Sequence, residues 1–138
     1  MSNIILKVQD LKVQFAIKSN KHLLDFSYDK LKAVDGVSFE LEQGKTLGIV
    51  GESGCGKSTI AKAIVDLAPI TSGKVLFNDK DLNTMDKHER WLVKKDIQMI
   101  FQDPLASLDP RMTIKQIIEQ PLISFFPHLN KKQREKKF

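Results

Sequence analysis

Apolar and polar residues change period along the chain, and each change marks an element. Over 37–42, Val37, Phe39 and Leu41 alternate with Ser38, Glu40 and Glu42, the period of a strand with one buried face. Residues 4–17, IILKVQDLKVQFAI, predict two short β-rich runs parted by Gln9 and Asp10, and residues 18–32 form a polar, lysine-rich excursion holding Phe26 and Tyr28. Glu42-Gln43-Gly44-Lys45 turns the chain into an apolar strand over 47–50. From Lys57 the period lengthens: Ile60, Ala61, Ile64, Val65 and Ala68 lie at helical spacing until Pro69 ends the helix. Thr71-Ser72-Gly73 leads into a strand over 74–77, and Asn78-Asp79 turns it back. Asp86-x-x-Glu89 predicts a capping box on a short helix reaching about Lys95. A strand over 97–101 ends in Gln102-Asp103-Pro104, and an irregular loop runs to Pro110. A helix over 113–120 follows, stopped by Pro121, and Asn130 caps a last one.

Strands alternating with helices predict an α/β domain with a mainly parallel sheet, and the strand-rich first third predicts an added antiparallel β layer. The junction between the 47–50 run and the first helix carries the chemistry. LGIVGESGCGKSTIAK satisfies Gly51-x-x-x-x-Gly56-Lys57-Ser58, the phosphate-binding pattern, in the strand, loop, helix setting that the pattern requires. Average glycine and lysine usage produces the bare pattern in about one chain in two hundred of this length, so a chance turn is a poor explanation. Gly51, Glu52, Ser53, Gly54, Cys55 and Gly56 form the loop; glycines let the backbone take positive φ and wrap close to an anion. Its N–H groups and the positive end of the helix then face phosphate oxygens. Lys57 is a mobile charge for the β and γ phosphates, Ser58 offers a hydroxyl to Mg²⁺, and Thr59 is set for the α phosphate. The expected fold is therefore a P-loop nucleotide-binding fold that takes a polyphosphate with Mg²⁺; the resemblance described below implies that the nucleotide is ATP.

Composition narrows the class. At 138 residues, 41% hydrophobic and 28% charged, the chain has the make-up of one folded globular domain. No apolar run approaches a membrane span, and the first ten residues lack the pattern of a signal peptide. The single cysteine, Cys55, has no internal disulfide partner and reads as a small loop residue. His22, His88 and His128 lie in separate polar segments without ligand spacing, which predicts exposed residues and no metal cage. The net charge is +5, and residues 131–137 hold five Lys or Arg against one Glu, so the surplus sits mainly in one solvated helix face.

Three stretches together carry a resemblance. AVDGVSFELEQGKTLGIVGESGCGKSTIAKAI, TSGKVLFNDKDL and IQMIFQDPLASLDPRMTI resemble the ATP-binding subunits of ATP-binding cassette transporters. FQDP followed by SLDPR is similar to the oligopeptide and dipeptide importer branch, which includes nickel importers. The resemblance implies that residues 51–59 bind the triphosphate. It implies that Gln102 is the Q-loop glutamine, reaching Mg²⁺ and the attacking water and coupling the site to the membrane subunits. Tyr28 takes the place of an aromatic that stacks on adenine, with Phe26 as the nearest substitute. The implied partners are transporter membrane subunits and a second ATP-binding subunit that completes a composite site, at the cytoplasmic face of the inner membrane; no nucleic acid is expected.

The match also has a limit. An LSGGQ-like signature, a metal-binding strand ending in Asp, a catalytic Glu and a switch His do not follow Gln102. The expectation is one cassette domain truncated within its helical subdomain: residues 1–45 as the antiparallel layer, 46–110 as the P-loop core to the Q-loop, and 111–138 as the start of the helical part. Such a chain binds and orients ATP but hydrolyses it poorly. It is also expected to be marginally soluble, because the metal-binding strand lies beside the P-loop strand in this fold.

Overall fold

The computed structural model describes residues 3–18 and 28–137, with the side chains of Lys18 and Tyr28 excepted. Two strands of fifteen residues each, β1 (Ile4–Lys18) and β2 (Tyr28–Glu42), pair antiparallel along their whole length. On its other side β1 pairs antiparallel with β3 (Ser72–Phe77), which carries the short β4 (Lys80–Asp81), giving the order β2-β1-β3-β4.

The two expected runs in residues 4–17 are one strand. Around Gln9 and Asp10 the register shifts, with Val8 opposite Phe39 but Leu11 opposite Val37, and Asp10 takes a φ of 44°. The extra residue is a β-bulge. It resets the alternation, so that Val8, Leu11 and Val13 are all fully buried although the first two are three positions apart. Opposite them stand Val75 and Val34, also buried, and these side chains form the floor of the core. The excursion expected over 18–32 is shorter than its composition suggests, because β2 already begins at Tyr28. There the charged residues Asp29, Lys30 and Lys32 occupy exposed strand positions.

Helix α1 (Lys57–Ile64) covers the sheet with Ile60 and Ala63, both buried. It stops four residues before the predicted end. Leu67 N donates to Lys62 O at 2.7 Å and Asp66 N to Ala63 O at 3.2 Å, with Asp66 left-handed at φ 61°. These bonds satisfy the last carbonyls in the way a C-terminal glycine usually does, so the helix closes before it meets Pro69. Asn78 and Asp79, at φ 48° and 62°, make the two-residue turn between β3 and β4, whose mirror-image form matches strand twist. The capping box forms at α2 (Lys87–Val93): Glu89 N donates to Asp86 Oδ1 at 2.8 Å and Asp86 N to Glu89 Oε2 at 3.2 Å.

Two compact units divide the chain, Met1–Arg90 and Trp91–Phe138. In the second, α3 (Ile114–Phe125) and α4 (Lys131–Glu135) each begin on a capping box, from Thr113 with Gln116 and from Asn130 with Gln133. Pro121 does not stop α3; it lies inside it. The ring removes one donor, yet the helix resumes, and Phe126 N still donates to Leu122 O at 3.0 Å. Packing supports the continuation: Phe125 lies against Trp91 with ring centroids 4.9 Å apart, and Lys95 Nζ sits 5.1 Å from the Phe126 ring. Nearby, Glu119 is buried, with Arg134 Nε 3.8 Å from its carboxylate.

The runs 47–50 and 97–101, predicted as parallel strands, belong to no ladder among the described residues. The described sheet is wholly antiparallel. A strand needs a partner as well as an apolar pattern, and these runs find none; Val50 is 94% exposed and Ile100 90%. No helix among the described residues is long and apolar enough to cross a membrane.

Candidate nucleotide site

The loop of residues 51–56 ends where α1 begins, and Gly56 fixes the junction. Its φ is 100°, in the left-handed region, and a Cβ there would lie 2.3 Å from the backbone oxygen of Ala33 in β2. Both conditions require glycine. Gly54, at φ 79°, shares the left-handed conformation, whereas Gly51 does not. The first pattern glycine is needed for space: a Cβ at Gly51 would meet Cys55 Sγ at 2.7 Å. The loop is thus pressed against the sheet at Gly56 and folded on itself at Gly51.

Lys57 is tied into this fold. Its Nζ donates to Gly51 O at 2.8 Å and Glu52 O at 2.6 Å, and approaches Cys55 Sγ at 3.5 Å. Glu52, Ser53, Gly54, Cys55 and Ser58 are exposed; Lys57 and Thr59 are half-buried. At the start of α1 the first amides have no intrahelical partner, since Ile60 N is the first to bond back, to Gly56 O at 2.9 Å. Ammonium, hydroxyls and free amide ends therefore meet at one place. That combination fits a polyphosphate.

Beside it opens a cleft of about 420 Å³. One side is the loop and helix start, residues 54–59; the other is the β1–β2 hairpin, through Phe15, Leu31, Lys32 and Ala33. Phe15 and Leu31 face each other across the hairpin and are partly exposed. An apolar wall next to a phosphate cradle is what a nucleotide base and its phosphates need together.

The aromatic predicted for this wall was Tyr28. Its backbone pairs with Lys18, but its side chain, like all of Phe26 and His22, lies outside the described residues. The structure puts Phe15 at the cleft instead. Phe15 follows Leu11 and Val13 in strict alternation, and sequence reasoning absorbed it as one more strand residue. Only the packing of the loop against Ala33 shows that the core has ended by that point.

Gln102 belongs to the second unit and is exposed. The loop after it is shaped by its own side chains: Ala106 N donates to Asp103 Oδ1 at 3.1 Å, and Ser107 Oγ to Asp103 O at 2.8 Å. Arg111 grips Asp109 with two bonds of 3.0 Å, which hold the Asp109 carboxyl below its ordinary value and raise the guanidinium. His88 and His128 are exposed, and no cluster of His, Cys, Asp and Glu suited to a metal occurs among the described residues. A divalent ion here would depend on the Ser58 hydroxyl and on phosphate oxygens, as Mg²⁺ sites commonly do.

Comparison with known proteins agrees with this geometry. Residues 34–137 match the family model for "ABC transporter". The chain is 54% identical over 128 residues to the oligopeptide transport ATP-binding protein OppF of Salmonella typhimurium, covering 93% of this chain and 38% of that protein. It is 44% identical over 133 residues to AppF of Bacillus subtilis and 41% over 134 residues to the dipeptide transport protein DppF of Escherichia coli. The chain spans about two fifths of the length of these curated relatives. Among solved structures, the dimeric cassette MJ0796 superposes with a TM-score of 0.75 at 25% identity, covering 96% of this chain and 53% of that one. A second structure of MJ0796 is a post-hydrolysis state bound to ADP and Pi. The likeness establishes the α/β P-loop fold with its antiparallel layer, and the chain belongs to the ABC transporter ATP-binding family.

Proposed function

We propose that this chain is the nucleotide-binding part of an ATP-binding subunit of an oligopeptide or dipeptide importer. The observation that carries the reading is the junction at Gly56, where a phosphate-binding loop, Lys57 and an apolar hairpin wall meet at one cleft. The relatives that bear peptide-transport names support the transport half. In this reading the triphosphate lies along residues 51–59, Lys57 meets the β and γ phosphates, Ser58 supplies its hydroxyl to Mg²⁺, and Thr59 meets the α phosphate. Mg²⁺ supplies charge to the phosphate oxygens when bound. The base lies on Phe15 and Leu31; Tyr28 is a second candidate for that contact. Gln102 orients water and metal, and the loop over 102–111 docks on the membrane subunits. A second ATP-binding subunit completes the composite site, at the cytoplasmic face of the membrane.

The chain's own residues bind and orient; positioning and electrostatics are nearly all that phosphoryl transfer asks of a protein, and several of the groups expected for it are not in this sequence. ATP binding with very slow phosphate release is therefore expected of the purified chain. Titration with ATP and with inorganic triphosphate tests the reading. Lys57→Ala should weaken both, by about tenfold or more, since charge-assisted bonds contribute roughly 1.5 to 3 kcal/mol each. Phe15→Ala should weaken ATP alone, because stacking is worth about 1 to 3 kcal/mol per base. Unchanged ATP affinity in Lys57→Ala would remove the loop from the site.

A further inference from the structure

Phe15 and Leu31 form the apolar wall of the cleft, yet regular pairing of β1 with β2 would not bring them together. Val13 stands opposite Val34, and both are buried. Counted on from that pair, an unbroken antiparallel ladder sets Ala33 opposite Gln14 and Lys32 opposite Phe15. The observed pairs are Gln14 with Lys32 and Phe15 with Leu31, so Ala33 is an extra residue that faces none in β1. It is a β-bulge, an irregularity that bends a strand and re-aims its side chains. Here it trades one face of the strand for the other. Successive strand residues point to opposite sides, so Leu31, three positions from Val34, shares its face only because Ala33 intervenes. Without that shift Lys32 would stand opposite Phe15. Its ammonium lies 3.2 Å from Asp35 instead.

The bulge also lies where the sheet narrows and the phosphate loop arrives. The last residue of β1 to pair with β3 is Lys12, opposite Ser72. Ala33 is half-buried and lines the cleft, and its carbonyl oxygen is the atom that a Cβ on Gly56 would strike at 2.3 Å. One residue therefore decides which side chains make the wall and how far that wall stands from the loop. We propose that Ala33 is a positioning residue for the nucleoside: its bulge holds Phe15 and Leu31 over the phosphate loop, and through them the site tells a nucleoside triphosphate from bare triphosphate. This inference rests on the nucleotide-site reading above and adds to it the device that sets the wall.

Deletion of Ala33 tests the proposal, because the pairs Val13–Val34, Gln14–Lys32 and Phe15–Leu31 can all persist without it while the bulge and the contact with Gly56 are lost. ATP and inorganic triphosphate are titrated in parallel by calorimetry against the full 138-residue chain. The deletion should weaken ATP by about tenfold, the effect of a misplaced stacking wall. Triphosphate should stay within about twofold of the parent, since α1 remains anchored through Ile60 and Ala63. Ala33→Ser keeps the extra residue and should bind both ligands as the parent does. Should far-UV circular dichroism show that the deletion disturbs the fold, Ala33→Leu gives the same reading by enlarging a residue of the cleft: ATP weakens by about tenfold and triphosphate does not. Parent-like ATP affinity in whichever of the two variants is folded overturns the proposal. So does an equal loss of both ligands in a folded variant, which is what a merely structural role produces. Failure of the underlying reading looks different: a parent that binds neither ligand removes the site itself, and the proposal with it.

Discussion

Three residues of the loop separate into different physical roles that one pattern conceals. Gly56 is held by backbone conformation and by the Ala33 oxygen, and nothing movable stands in its way. Gly51 is held only by the Cys55 sulfur. Gly51→Ala should therefore destabilise the chain by about 1 to 3 kcal/mol, and adding Cys55→Ala should recover most of it, a coupling readable in paired urea melts. Gly56→Ala should abolish ATP binding with or without a second change at Cys55; recovery by Cys55→Ala would contradict the assignment. Lys57 has two loop carbonyls as partners, so a phosphate that recruits it competes with both. The spacing of glycines, lysine and serine was legible in the sequence because the backbone wrap dictates it. The place of Phe15 at the cleft was not, because it depends on where β1 outruns the core, which no local pattern records.

At the scale of elements, caps and turns were the most legible features, since their chemistry is confined to four or five residues. Asp86 with Glu89, the Asn130 cap and the Asn78-Asp79 turn all form from residues that sequence singled out, with Gln133 completing the box at Asn130. The misjudged ends were those decided by packing: Asp66 closes α1 early, and Pro121 sits inside α3. Pro121→Ala should raise the melting temperature by restoring a donor toward Ile117, worth up to about 3 kcal/mol in a helix interior. A lower melting temperature would mean the proline fits α3 without strain. The Asp86 carboxyl lies below its ordinary 3.8, chiefly through the bond from Glu89 N–H. A lowered value in the folded state stabilises above the ordinary carboxylate range, and that contribution fades as pH falls through the lowered value. Asp86→Asn keeps a cap but loses this titration, so its stability should fall less than the parent's on acidification, as followed by circular dichroism.

Over the whole molecule, the strands the sequence promised but the ladder lacks dominate behaviour. Leu47, Ile49 and Val50 in one unit, and Ile100 and Phe101 in the other, leave apolar surface exposed beside unpaired backbone. Such segments are templates for association. Light scattering should show assembly that grows with concentration, and a cooperative monomeric melt at micromolar concentration would refute this. The periodicity of both runs was visible; what it could not supply was a neighbour.

The β1–β2 hairpin has one more consequence. The β1–β3 ladder ends at Lys12 opposite Ser72, and the last tie is Gln14 N to Thr71 Oγ1 at 2.9 Å, while β1 and β2 run on together to Lys18 and Tyr28. Phe15 and Leu31 sit in that two-stranded extension, a form with little independent stability. The cleft accordingly has a firm bed and a compliant cover, with the bed anchored by Ile60 and Ala63 and the cover borne on a ribbon. In the proposed reading a base lying on the cover would act as its third layer, so that recognition of the base and stiffening of the ribbon would be a single event. ATP should slow tryptic cutting after Lys30 and Lys32, and inorganic triphosphate, which reaches only the bed, should not.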